Sequence, residues 1–234
     1  MLDLPLGLAP IPRPGLTLAA GTALRQFSHL RPSGGFDLIM ADPPWKFETR
    51  SPLGQNKSAD AHYDCMGIGD IEALPVSALA AADCLLWLWA TGPLLREALG
   101  VIDAWGFTYK TQGYWAKTTR HGKQTFGTGY LLRNAGEPFL IATKGAPKTA
   151  RNVRSVIMGR VREHSRKPEE AFAEAEKLMP EARRIEVFSR ASRRGWATWG
   201  NETAKFDPSD MTERKAAMMA RLRASGDKPP VGVL

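Results

Sequence analysis

The sequence predicts an α/β domain built on a mostly parallel sheet with helices on both faces. Three observations carry that class. Apolar runs such as Cys84–Ala90 are too continuous for a sheet with one wet face, and read as strands covered on both sides. Stretches such as Pro93–Trp105, with Leu94, Leu95, Ala98, Leu99 and Ile102 at helical spacing, fall between them. Strand and helix patterns then alternate along the chain, which favours crossover connections and parallel pairing.

In chain order, residues 1–21 are rich in Pro, Gly and Leu and read as an extended arm. Phe36–Ala41 is the first strong strand. Residues 46–69 lack periodicity and read as a long loop, a length usually functional or disordered in a compact domain. Gly69–Ala82 fits a helix capped by Asp70 with Ile71, Leu74 and Leu79 inward, Pro75 being its awkward residue. Further strands are expected at Cys84–Ala90, Phe107–Lys117, Pro138–Thr143 and Arg184–Phe188, and helices at Pro93–Trp105 and Pro168–Met179. Two basic loops span 118–134 and 144–166, the second with a short apolar piece at Val156–Met158. Trp196–Trp199 is short and extended. The main domain is expected over residues 22–206, with a basic, Met-rich helix at Thr212–Ala224 and a tail completing 207–234.

A chain of 234 residues suits one domain with tails. It has no apolar stretch of about 18 residues, so no membrane span is expected. Its start lacks the basic region of a signal peptide. Cys65 and Cys84 lack CxxC spacing and the four histidines are unpaired in sequence. Reduced thiols in a cytoplasmic protein, and no metal site, are the expectation. The net charge of +8 is unevenly placed. Phe107–Asn134 holds five Lys/Arg and no acid, and Lys148–Lys167 holds seven with one acid, leaving the remainder slightly acidic. Two basic segments on an acidic body fit a polyanion footprint, against the alternative of solvated loops.

The chemistry points to Asp42-Pro43-Pro44-Trp45. Two prolines cannot extend the strand that precedes them, since each lacks an N–H and has a fixed φ. The chain must leave the sheet there, with an acid and an indole at the carboxyl edge, where ligands of open α/β sheets bind. An acid, rigid carbonyls and an aromatic face suit a flat base carrying an amino group. The competing role is a capping Asp and a core Trp at a strand end.

Later segments occur in a recognisable order. They are Tyr63-Asp64-Cys65-Met66, Trp89-Ala90-Thr91-Gly92, Gly127-Thr128-Gly129-Tyr130, Arg133-Asn134-Ala135-Gly136-Glu137, Glu163-His164-Ser165-Arg166-Lys167-Pro168, Ile185-Glu186-Val187-Phe188-Ser189-Arg190 and Gly195-Trp196-Ala197-Thr198-Trp199-Gly200-Asn201-Glu202. With Asp42–Trp45 they resemble the N6-adenine methyltransferase family of the eukaryotic mRNA N6-methyladenosine writer, in a compact bacterial or phage form, over roughly residues 36–202. The resemblance implies a Rossmann-like fold, S-adenosylmethionine as methyl donor, and adenine N6 in nucleic acid as acceptor, DNA before RNA. Other outcomes are a catalytically silent nucleic-acid-binding homologue, or an amide or cytosine-N4 methyltransferase.

By the same resemblance Asp42 and the Pro43 carbonyl accept the two N6–H bonds, Pro44 keeps that carbonyl rigid, and Trp45 and Tyr63 hold the flipped base. Asn201 and Glu202 meet the cofactor ribose with Arg190 nearby, and Lys167 pairs with the methionine carboxylate. The chain departs from better-known members at Ala23 and Leu24, where an acid often meets the cofactor adenine and backbone contacts would have to serve. It departs again at Ser192 and Arg193, in place of a His-Asn pair, and it has no zinc-finger region. Lys123, Arg133, Arg151, Arg154 and Arg160 are the candidate phosphate contacts. A homodimer is the expected form of any self-association.

Overall fold

The computed structural model describes residues 18–46, 65–127, 129, 131–163 and 166–207. The elements are α1 (Leu18–Leu30), β1 (Phe36–Ala41), α2 (Ile68–Glu72), β2 (Ala80–Trp89), α3 (Leu95–Ala104), β3 (Thr108–Thr118), β4 (Gly136–Lys144), β5 (Val156–Arg160), α4 (Glu169–Leu178), β6 (Arg184–Val187) and β7 (Trp196–Trp199). The seven strands form one sheet in the order β5-β3-β4-β2-β1-β6-β7. β4 pairs antiparallel with both β2 and β3, and every other neighbouring pair is parallel. Six strands therefore point one way and β4 alone is reversed.

The sheet is apolar on both faces, as the continuous runs required. On one face Ile39, Ala41, Leu86 and Leu88 pack with Ala23 and Phe27 of α1 and with Ala98, Val101 and Ile102 of α3. On the other, Leu38, Met40, Trp87, Trp89, Trp115 and Ile157 pack with Ala171, Phe172 and Ala175 of α4. Trp87 stacks on Phe139 with centroids 4.2 Å apart, and Phe139 meets Trp89 edge-on at 5.4 Å. Such offset and edge-on ring pairs pack this face of β2 and β4.

Three expectations need correction. The helix expected over Gly69–Ala82 stops at Glu72. Pro75 has no N–H to continue it, so a short 3-10 turn at Val76–Ala78 follows and β2 begins already at Ala80. Leu74, Val76 and Leu79 are nonetheless buried, so the inward face was right and its geometry was not. Second, α1 begins at Leu18, inside the stretch read as an extended arm. Only Ala23 and Phe27 of its residues 21–30 are buried, a stripe too narrow to stand out as periodicity. Third, Val156–Met158 is the start of a true strand, β5, at the sheet edge. The helix expected at Thr212–Ala224 lies outside the described residues.

Candidate active site

The carboxyl ends of the six co-directed strands gather the candidate residues. Asp42 follows β1, Lys117 closes β3, Lys167 follows β5, Arg190 follows β6, and Asn201 and Glu202 follow β7. Because β4 is reversed, its first residues, including Glu137, lie at this same edge. A cleft of about 750 Å³ opens there. Its walls include Asp42, Pro43 and Pro44 from β1, Phe188, Ser189 and Arg190 from β6, Gly200, Asn201 and Glu202 from β7, and Ala23 from α1. β1 and β6 are sheet neighbours whose chain connections leave in opposite directions, the crevice where open α/β sheets bind ligands.

The proline corner is held by its own backbone. The Trp45 N–H donates to the Pro43 carbonyl at 2.8 Å, and the Met66 N–H donates to the Pro44 carbonyl at 2.9 Å. The Pro43 oxygen keeps a second lone pair for a ligand. The carboxylate of Asp42, about a fifth exposed, accepts from Lys167 Nζ at 2.6 Å. Lys167 also meets Glu137 Oε2 at 3.3 Å, and Lys117 completes an ion pair with Glu137. The result is an alternating chain, Lys117–Glu137–Lys167–Asp42, with two charges of each sign. Burial pushes the Asp42 carboxyl up against the pull of Lys167. Burial also acts on Glu137, but its two lysines win and hold it below the usual glutamate range.

A second acid lies close by. Glu186 on β6 is pushed up to about 7 by burial, against a hydrogen bond from Ser189 Oγ at 2.8 Å and the charge of Arg193. Ser189 itself is 1% exposed. Phe188, between them, has φ +65, a left-handed conformation that is costly for a bulky residue. This strained turn aims the chain from the end of β6 into the cleft, the kind of site where backbone strain collects.

The predicted residues divide clearly. Asp42, Pro43, Pro44, Ala23, Arg190, Asn201 and Glu202 share the cleft. Arg190 Nε donates to Glu202 Oε2 at 2.9 Å, so the two ribose candidates hold each other. Lys167 sits at the corner, bonded to Asp42. The stacking role expected of Trp45 is corrected: its ring is 6% exposed within the core, and its N–H donates to the Trp89 carbonyl at 3.1 Å. Trp45 is the back wall of the corner, not an open face. Backbone contacts from Ala23 and Leu24 are also corrected, because both lie inside α1, where N–H and C=O groups are spent on the helix. Leu24 does not line the cleft; Thr22 and Gln26 do, and Gln26 Oε1 accepts from Trp199 Nε1 at 2.7 Å. Ser192 is likewise outside the cleft, its backbone N–H donating to Asp207 Oδ1 at 2.6 Å. Tyr63 lies outside the described residues.

The basic loops also separate. Lys123, Arg133 and Arg160 are exposed at or beyond the carboxyl ends of β3 and β5, on the side of the cleft. Arg151 follows the reversed β4 from the opposite edge, where Ala146 N–H donates to Asp83 Oδ1 near the start of β2, while Arg154 lies just before Val156, which pairs with Tyr114 midway along β3. The expectation that both loops line the mouth is corrected for the start of the second loop, which leaves β4 at the far edge. Sequence reasoning missed Thr22, Gln26, Phe188, Ser189 and Gly200. Phe188, Ser189 and Gly200 were within quoted segments, and their position directly after strands was the available signal.

Fold and site together define a Rossmann-like α/β protein with an acidic, proline-rigid ligand cleft at the carboxyl edge of its sheet. The chain belongs to the MT-A70 family, whose model matches residues 36–202. It is 34% identical to an N(6)-adenosine-methyltransferase MT-A70-like protein of Arabidopsis thaliana, over 72% of this chain and 24% of that one. It is 29% identical to the type II methyltransferase M.MunI of a Mycoplasma species, over 73% of this chain and 79% of the relative. It is 30% identical to the human N(6)-adenosine-methyltransferase catalytic subunit METTL3, over 72% of this chain and 28% of that protein. The chain thus spans about a quarter of the plant and animal relatives and most of the bacterial one.

Proposed function

We propose that this chain is an S-adenosylmethionine-dependent methyltransferase acting on N6 of adenine in DNA. One observation carries the reading: Asp42-Pro43-Pro44, Arg190, Asn201 and Glu202, distant in sequence, wall a single cleft. At about 750 Å³ the cleft falls in the range of small-ligand and cofactor sites. Its donor set fits the proposed cofactor, with an amide and a carboxylate for ribose hydroxyls and the Arg190 cation for a carboxylate, Lys167 lying just behind Asp42. DNA is favoured over RNA because the chain spans most of the length of a type II methyltransferase but about a quarter of the N(6)-adenosine-methyltransferases it resembles.

When bound, S-adenosylmethionine supplies an electrophilic methyl carbon. The chain's own residues prepare the acceptor. An adenine N6 amine is a weak nucleophile, its lone pair delocalised into the ring. Asp42 accepts one N6–H bond and the Pro43 carbonyl the other, fixing the nitrogen and favouring the positive charge it develops. Lys167 opposes the upward push that burial exerts on the Asp42 carboxyl. Trp45 packs behind the corner and resists its displacement.

The test is methylation of plasmid DNA, single-stranded DNA and RNA in parallel, with modified nucleosides identified by mass spectrometry. N6-methyladenine in DNA supports the reading; product only in RNA, or only on cytosine, replaces the substrate. Asp42→Ala is expected to retain cofactor binding by calorimetry and lose turnover by at least about two orders of magnitude. Failure of the native chain to bind S-adenosylmethionine, with or without nucleic acid, favours a silent binding homologue.

A further inference from the structure

The three most exposed large apolar side chains among the described residues belong to one loop. Phe126 is 78%, Leu131 87% and Leu132 85% exposed, all between β3 and β4. The loop is folded on itself. Gly127 N–H donates to the Asn134 carbonyl at 2.8 Å, and the Arg133 guanidinium lies over the Phe126 ring at 4.9 Å. Phe126 and Arg133 thus form a stacked pair across the neck of the loop, with both leucines at its tip. Apolar groups this exposed on a closed loop are a signature of a binding surface.

Its location narrows the partner. The loop joins the carboxyl end of β3 to the start of β4, at the edge that carries Asp42. Its stem residues, Lys117 and Glu137, reach Asp42 through Lys167 in three successive ion pairs. Arg120, Lys123 and Arg133 flank the apolar tip, and Phe107–Asn134 contains no acid. Two copies of this chain joined symmetrically through the loop would oppose like charges, which disfavours self-association there. A polyanion with apolar, stackable bases satisfies both features at once: cations for the phosphates and a ring and leucines for base faces.

We infer that this loop is a base-stacking wedge, Phe126, Leu131 and Leu132 inserting against or between bases of the bound nucleic acid beside the target adenine. The inference rests on the nucleic-acid reading of the cleft. It assigns the wedge to replacing the stacking contacts that a base loses when it leaves the helix.

The experiment is direct binding, which needs no methyl transfer. Fluorescence anisotropy with a labelled mixed-sequence DNA duplex, and with one strand of it alone, is measured across a salt series. The proteins are the full chain, the F126A/L131S/L132S variant and the R120A/K123A variant. The apolar variant is expected to weaken binding about tenfold or more, the scale of one lost base–aromatic stack, with an unchanged salt slope. The basic variant is expected to flatten the slope. Unchanged affinity of the apolar variant for both probes overturns the wedge. A native dimer that becomes monomeric in the apolar variant, its DNA affinity intact, reassigns the loop to a protein interface. Binding that depends on the loop in a chain that methylates no nucleic acid leaves the wedge standing and removes the enzyme reading. Far-ultraviolet circular dichroism of each variant checks that the fold is intact.

Discussion

Replacing Glu186 by Gln should stabilise the protein in a strongly pH-dependent way. The Glu186 carboxyl is pushed from its ordinary 4.5 up to about 7 by burial at the end of β6. An acid with a raised native pKa holds its proton longer when folded than when unfolded. Between about 4.5 and about 7 the native state therefore binds more protons, and stability falls as pH rises through that window. Below it and above it the contribution is flat. The gap of roughly 2.5 pKa units corresponds to about 3 kcal/mol in full, of which about 2.5 kcal/mol develops between pH 5 and pH 8. Gln keeps an acceptor for the Ser189 hydroxyl but has no charge to desolvate. The assay is urea unfolding of both proteins at pH 5 and pH 8. Other titrating groups are common to the two, so they cancel in the difference. The variant should gain on the native chain as pH rises. Parallel profiles would refute the claim that Glu186 is a buried acid titrating near neutrality.

The remaining predictions concern the corner and its approach. Lys167→Met removes the cation that lowers the Asp42 pKa, so the acid limb of the methyl-transfer rate should move to higher pH. It should also cost about 3 kcal/mol of stability, since Asp42 and Glu137 lose their shared partner. An unmoved limb would detach Lys167 from Asp42. Glu137→Gln should move the same limb the other way, because the Glu137 charge raises the Asp42 pKa; pH–rate profiles of the two variants in opposite directions are the check. Removing Lys123, Arg133 and Arg160 together should lower the salt slope of DNA binding by up to about 3, at about 0.9 per phosphate contact. Arg151→Ala with Arg154→Ala should leave it unchanged, and a flattened slope in that pair would put the amino edge of the sheet in contact with the polyanion.

Much of the fold was legible because the central strands β1 and β2 are covered on both faces and so read as nearly continuous apolar runs. Phe36–Ala41 shows this plainly, whereas Arg184–Val187 alternates, with Ile185 and Val187 buried beside it. Their pairing is additionally pinned by a bidentate ion pair from Arg183, just before β6, to Asp37 at 2.8 Å. The corner was legible because two prolines after a strand have few structural alternatives. What the sequence hides is relational. Trp45 carries the same indole whether it faces a ligand or the core, and only the Trp89 carbonyl at 3.1 Å distinguishes them. Lys167 and Asp42 stand 125 residues apart, and nothing local announces their ion pair. The α1 helix presents two buried residues among its residues 21–30, too few for pattern-reading to seize.

The reversal of β4 decides more of the function than any motif does. With every strand parallel, the segments before and after β4 would have had equivalent claims on the site, as their similar charge implied. Reversed, β4 enters from the carboxyl edge and leaves at the amino edge. The loop before it, with its lysines, arginines and exposed Phe126, is therefore delivered to the cleft, and the loop after it, with Arg151, starts from the far edge and climbs back only as β5 begins. The second basic segment is divided by β5 in the same manner: Lys148, Arg151 and Arg154 precede the strand, while Arg160, Arg162, Arg166 and Lys167 end it or follow it. The cations at the mouth thus come from one whole loop and half of another. A polyanion approaching this edge would meet them on the same side as Asp42.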